Sequence, residues 1–260
     1  MSDGPLAGKR LLITRPAHQA HDFVEAARRR GVEAILAPTI AIVPPDDPHP
    51  AHKAIDNVHD YRWIVFTSQN GVDAFFDRLR SLDEDARYLG GVKVGAIGAK
   101  TAQRLRENGI RADLVPSASV SEAIGRALIE ATSDGDRILI FRAQEGRDVL
   151  PEMLEDAGRF AHVVAAYKTV FEVDPQFADK VGRADIIAFT SASTVRGFIE
   201  LLAHPASAIE ASRGKIVACI GPVTADAAEE AGLHVDVVAD VSSTDALLDN
   251  IERHLHAHYA

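Results

Sequence analysis

A single cysteine, Cys219, rules out an internal disulfide framework. It lies in the apolar run KIVACIG, the place of a small buried hydrophobe rather than of a catalytic thiol. No apolar run reaches the ~18 residues needed to span a membrane. The N-terminal MSDGPLAGKR lacks the apolar region of a secretory signal. A soluble cytoplasmic protein is therefore expected. Positive charge is in deficit, with a formal net charge of −10. That argues against nucleic acid or an anionic membrane as a partner. An anionic ligand would have to be held by local groups, against the overall field.

Familiar catalytic signatures are also missing. No G-x-G-x-x-G follows a strand, so a dinucleotide site is unsupported. IGAKT has a lysine, but it does not directly follow the glycine as a phosphate loop requires. There is no H-E-x-x-H, no C-x-x-C and no G-x-S-x-G elbow. The 11 histidines are scattered; His254 and His258 stand four apart on a possible terminal helix, where a solvated tail is a simpler reading than a metal site.

What is present is a rhythm. Apolar runs of four to six residues alternate with amphipathic stretches of ten to fifteen, the pattern of βα units and a parallel sheet. Strands are expected at 10–14, 33–38, 62–66, 92–97, 112–115, 137–141, 161–166, 185–189, 215–220 and 235–238. The rhythm repeats. LLITRP at 11–16 recurs as ILIFRA at 138–143, and Gly31 recurs as Gly158, both at an offset of 127. FTSQNG at 66–71 recurs as FTSAST, IGAKTA at 97–102 as IGPVTA, and VPSASVSEAI at 115–124 as VADVSSTDAL, all at an offset of 123. The four-residue change falls at the proline-rich stretch Pro44, Pro45, Pro48 and Pro50, which reads as a linker. Its counterpart near 170–178 holds Asp174 and Pro175. Cutting at these joints gives one domain of residues 1–43 plus 172–260 and another of 44–171, with two extended crossings as a hinge.

In such sheets ligands bind beyond the C-terminal strand ends, where the following helices begin. The repeated motifs occupy that position. Ser68, Gln69 and Asn70, with Ser191, Ser193 and Thr194, form hydroxyl- and amide-rich turns whose members can be helix caps or ligand donors. Gly98 and Gly221 allow close backbone approach. Thr101 and Thr224 add a hydroxyl in the first helical turn, and Ser117 and Ser119 precede the next helix, as Ser242, Ser243 and Thr244 do in the second copy. Arg15, Arg142 and Arg147 follow strand ends, as surface ion-pair formers or as carboxylate partners. Tyr167, in AAYKT, either gives a proton or hydrogen bond to a departing oxygen or simply packs with its hydroxyl in water. Together they describe a cleft between two domains, suited to a ligand with several carboxylates or phosphates.

FTSQNGV with IGAKTA, RAQEGRDVL, AYKT, FTSAST and CIGPVTA, in that order from about Lys9 to about Asn250, resemble the uroporphyrinogen-III synthase family. The resemblance implies an α/β fold of two similar domains, each a parallel sheet flanked by helices (flavodoxin-like or HemD-like), joined by a two-strand hinge. It implies hydroxymethylbilane as substrate, closed with loss of water and inversion of the last pyrrole ring through an azafulvene cation and a spiro intermediate. It implies no cofactor and no metal, with Tyr167 as the acid, Thr101 and Thr224 as cleft hydroxyls, and Ser68, Ser191, Ser193, Gly98 and Gly221 as turn donors. The expected partner is this small molecule alone, bound by a monomer without nucleic acid or membrane. The rival reading is a non-catalytic hinged binder or sensor of a polycarboxylate.

Overall fold

The computed structural model describes residues 4–259, with the side chains of residues 258 and 259 outside the description. The first three residues of the leader reading, and the His258 side chain of the possible metal pair, thus lie outside the described residues. The chain divides into two compact units, one running up to Ala41 and resuming at Val170, the other Ile42–Thr169.

In chain order the first unit begins with β1 (Arg10–Ile13), α1 (His21–Arg29) and β2 (Glu33–Leu36). Then come β3 (Ile40–Val43), α2 (His49–Asp56), β4 (Trp63–Phe66), α3 (Gln69–Ser81), β5 (Lys93–Ala96), α4 (Ala99–Glu107), α5 (Ser121–Ala131), β6 (Arg137–Ala143), α6 (Val149–Asp156) and β7 (Phe160–Phe171). The chain ends with α7 (Phe177–Arg183), β8 (Ile186–Phe189), α8 (Ala192–Leu201), α9 (Pro205–Ser212), β9 (Ile216–Cys219), α10 (Pro222–Glu230), β10 (Val237–Val238) and α11 (Thr244–Tyr259). One sheet has the order β10-β9-β8-β1-β2, the other β3-β7-β6-β4-β5.

The duplication holds to the residue. Leu11 pairs with Ile186 across β1 and β8, and Ile138 with Trp63 across β6 and β4, the same pair moved by the two sequence offsets. Val237 pairs with Ala218, and Leu114 with Gly95. The edge is tied in the same way twice: Val217 N–H donates to Asp236 and Val94 N–H to Asp113, both at 2.8 Å.

Strands β4 and β8 are buried along their whole length, as parallel strands covered on both faces must be. Helices on either side complete apolar layers in each unit. In the second unit Phe66, Phe75 and Phe141 meet at ring distances of 5.4–5.9 Å, two of the three pairs edge-on.

Three expectations change. The strand expected at 33–38 stops at Leu36, because Pro38 has no N–H to continue the ladder. Ile40–Val43, which is not among the expected strands, is a strand beside β7, since IAIV is rich in β-branched residues and Pro44 ends it. The strand expected at 112–115 is reduced to the single bridge at Leu114, with Pro116 preventing extension. Among the described residues no helix is long and apolar enough to cross a membrane.

Thr39 is fully buried and donates to Thr194 O at 2.9 Å. Its own carbonyl lies against α8, and a Cβ at Gly197 would come within 2.5 Å of it. Gly197→Ala should therefore cost about 1–3 kcal/mol through overpacking. Gly182 on α7 faces open space, so Gly182→Ala should be neutral or stabilise by up to about 1 kcal/mol. Denaturant unfolding of the two variants checks this, and equal effects would contradict it.

Candidate active site

The motif residues collect at the C-terminal ends of the strands in each unit. In the second unit β4 leads into Ser68, which caps α3 by accepting from Gly71 N–H at 3.0 Å. Its extended backbone (φ −162°) turns the hydroxyl back over the helix start. Strand β7 runs alongside β6 and brings Tyr167 to the same point. The Tyr167 phenol donates to Ser68 Oγ at 3.0 Å. The Asn70 side chain also hydrogen-bonds the phenol. Tyr167 is only 9% exposed. Burial raises its pKa, the bonds to Ser68 and Asn70 oppose that rise, and the charge of Glu145 adds to it.

The first unit repeats the cap without the phenol. Ser191 Oγ accepts from Thr194 N–H at 3.2 Å and meets Ser193 Oγ at 2.9 Å. In return Ser191 N–H donates to Thr194 Oγ1 at 3.3 Å, and the pair forms a capping box. Ser193 stands where Asn70 stands in the other copy. The position matching Tyr167 is Ile40, at the start of β3.

Gly98 and Gly221 precede α4 and α10 in extended backbone, at φ −173° and 173°. Their glycine character answers to the chain itself. A Cβ at Gly98 would lie 1.9 Å from Ser119 Oγ and 2.7 Å from Ser119 Cβ, and one at Gly221 would lie 2.9 Å from Ser242 Oγ. The serine loops pack on the glycine turns, and Ser117 and Ser119 stay exposed. Thr101 and Thr224 are buried in the first helical turns.

The arginines divide. Arg142 is turned inward, donating to the Arg147 carbonyl and to Asp148 at 2.7 Å, with 13% of its side chain exposed. A Cβ on Gly146 would meet its Cδ at 2.7 Å, so the loop after β6 is wrapped around it. Arg147 is exposed on that loop. Arg15, at the end of β1, reaches Gln19 Oε1 at 3.4 Å. Burial lowers its pKa, with the more distant Asp22 opposing. A desolvated guanidinium with an amide as its partner is suited to a carboxylate.

Sequence reasoning missed a polar triangle beside Tyr167. Asp46 accepts from Lys168 and, at 2.6 Å, from Gln144 Nε2, while Gln144 Oε1 accepts from Asp46 N–H at 2.9 Å. These bonds, led by the one from Lys168, hold the Asp46 carboxyl below its ordinary range. Gln144 N–H also donates to the Tyr167 carbonyl at 2.8 Å. No sequence signal joins Asp46 to partners 98 and 122 residues away.

A family model described as uroporphyrinogen-III synthase HemD matches residues 21–249. The chain belongs to this family. A uroporphyrinogen-III synthase of Synechococcus elongatus is 31% identical over 260 residues, covering 97% of this chain and 98% of that protein. A porphyrin biosynthesis protein HemD of Ruminiclostridium josui is 32% identical over 252 residues, covering 95% of this chain, which spans about half (49%) of that longer protein. Among solved structures, a mutant uroporphyrinogen III synthase of Thermus thermophilus superposes with a TM-score of 0.68 at 19% identity, covering 96% of this chain and all of that one. A uroporphyrinogen-III synthetase of Helicobacter pylori gives 0.60 at 16% identity, covering 93% and 96%. At these identities the two structures show the fold: two α/β units with sheets flanked by helices.

Cys219 takes no part in such a site. It is fully buried at the end of β9, and burial pushes its thiol up to about 12. Thiol reagents at pH 8 should leave the folded protein unlabelled and modify one group on unfolding; rapid labelling of the native chain would contradict this.

Proposed function

We propose that Tyr167 is the proton source for this family's reaction in this chain: the cyclisation of hydroxymethylbilane, with loss of water and inversion of the terminal ring, to uroporphyrinogen III. The observation that carries the reading is the placement of a buried phenol on the capping serine of one copy and not of the other. The hydroxymethyl oxygen is a poor leaving group until it gains a proton, and a fixed hydroxyl chain supplies one.

The remaining demand is on shape. The bilane closes unaided to the uninverted isomer, so the enzyme must favour attack at the substituted carbon by holding the chain in one bend. In this reading each unit by itself offers groups for carboxylates: the N-termini of α3 and α4, the Ser68 hydroxyl and the Gly98 amide in the second, and the N-termini of α8 and α10, the hydroxyls of Ser191 and Ser193, the Gly221 amide and Arg15 in the first. Helix N-termini bind anions without a dense cationic patch. That fits a chain of net charge −10. The lone buried thiol suits a reducing compartment, and we assign the chain to the cytoplasm. A non-catalytic binder is not favoured, because the family match spans residues 21–249.

With fresh hydroxymethylbilane the protein should release isomer III; isomer I alone would refute the reading. Tyr167→Phe should retain the fold and lower the rate of isomer III formation about a hundredfold, in line with loss of a general acid, and an unchanged rate would remove Tyr167 from the mechanism. Arg15→Gln should raise KM about tenfold, the scale of one charge-assisted hydrogen bond, with little change in Tm. An unchanged KM would leave Arg15 without a substrate role.

A further inference from the structure

The Tyr167 phenol is buried, and its proton is already directed at another oxygen of the protein. Ser68 Oγ receives it, and receives the Gly71 N–H as well. A hydroxyl oxygen has two lone pairs and one proton. With both lone pairs of Ser68 occupied from within, its own proton points out of the cluster, from a side chain that is half-exposed at the strand end. We propose that Ser68 is the catalytic residue that delivers the proton to the departing hydroxyl, and that Tyr167 acts through it. This rests on the reading of Tyr167 as the proton source.

The duplicated unit isolates the feature. Ser191 caps α8 with the same geometry and no phenol, so a phenol is not needed to build the cap. In the second unit the phenol is an addition to an already complete cap, with the Asn70 side chain as its second partner. The result is a chain of hydrogen bonds from Asn70 through Tyr167 to Ser68, in which each bond polarises the next.

The step balances. The C–O bond of the hydroxymethyl arm breaks with its electron pair on oxygen, which takes the Ser68 proton and leaves as water. The pyrrole nitrogen lone pair supplies the new double bond of the azafulvene cation. Ser68 takes the Tyr167 proton, and the resulting phenolate is held by Asn70 and attracted to the nearby cation. After spiro closure, fragmentation and reclosure, the terminal pyrrole loses the proton of its ring carbon as it regains aromaticity, and that proton returns to the phenolate. No oxidant or reductant is consumed.

The test compares Ser68→Ala, Tyr167→Phe, the double variant and Ser68→Thr for isomer III formation from fresh bilane. The single variants should each lose about a hundredfold in kcat with KM little changed. The double should lose no more than either single, as groups acting in series do. Ser68→Thr should recover to within a few-fold of the parent. Ser191→Ala, compared by Tm alone, measures what losing such a cap costs. If Ser68→Ala does not fold, Ser68→Gly replaces it, since glycine costs a cap only a few tenths of a kcal/mol. A parent-like rate in Ser68→Ala or Ser68→Gly with a slow Tyr167→Phe would overturn the relay and leave the phenol acting directly. So would losses that multiply in the double variant. Parent-like rates in both singles would remove the Tyr167 reading and the relay together.

Discussion

A parallel strand covered by helices on both faces has no room for an unpaired polar side chain except at its ends. Everything chemical in this protein follows from that constraint. Trp63–Phe66 and Ile186–Phe189 are buried at every position, and the first hydroxyls appear one or two residues beyond each. There the backbone must turn into a helix whose leading N–H groups lack partners. Serine meets that need in both units. The same exposed amides that require a cap also attract carboxylates. The N-termini that serine caps are therefore also places where an acidic protein can offer N–H groups to an anion.

Duplication then provides two such strand ends, and they differ in the phenol that meets one cap and not the other. The paired caps at Ser68 and Ser191 are alike in bond and backbone angle. What separates them is the strand that passes alongside. In the first unit β2 stops at Leu36, ahead of Pro38. In the second, β7 continues for 12 residues and carries Tyr167 past the cap. A buried phenol needs a partner for its hydroxyl, and the serine cap supplies one. The Asp46–Gln144–Lys168 triangle fastens the chain at the Tyr167 carbonyl and at the residue after it. The phenol is held at the start of α3 and the Tyr167 carbonyl by Gln144 N–H, which leaves the ring little freedom.

The arginines show how burial redistributes roles that look equal in sequence. Arg142 matches Arg15 at the strand end, yet it spends its donors on Asp148 and the Arg147 carbonyl. Gly146 is closed over it. Arg15 instead donates to the Gln19 side-chain amide oxygen. Gly98 and Gly221 make the same point from the other direction. They stand where a ligand-hugging turn is expected, and the nearest atoms are the chain's own serines.

Sequence alone determined the βα rhythm, the duplication and its two offsets, the turns that hold the helix starts, and the resemblance to the family. These depend on periodicity and on contacts within a few residues, and local propensity is written directly into the order of side chains. The two offsets map the observed pairing of Leu11 with Ile186 onto that of Ile138 with Trp63. Tertiary structure decided the rest. Only the packed sheet puts Tyr167 on Ser68, 99 residues away, and only the packed loop turns Arg142 inward. Only the sheet edge makes a strand of Ile40–Val43 and reduces the segment around Leu114 to one bridge. The direction of a side-chain hydrogen bond between distant segments is set by which strands lie side by side and in what register. Composition does not encode that, and it is what converts two equivalent serine caps into one candidate acid.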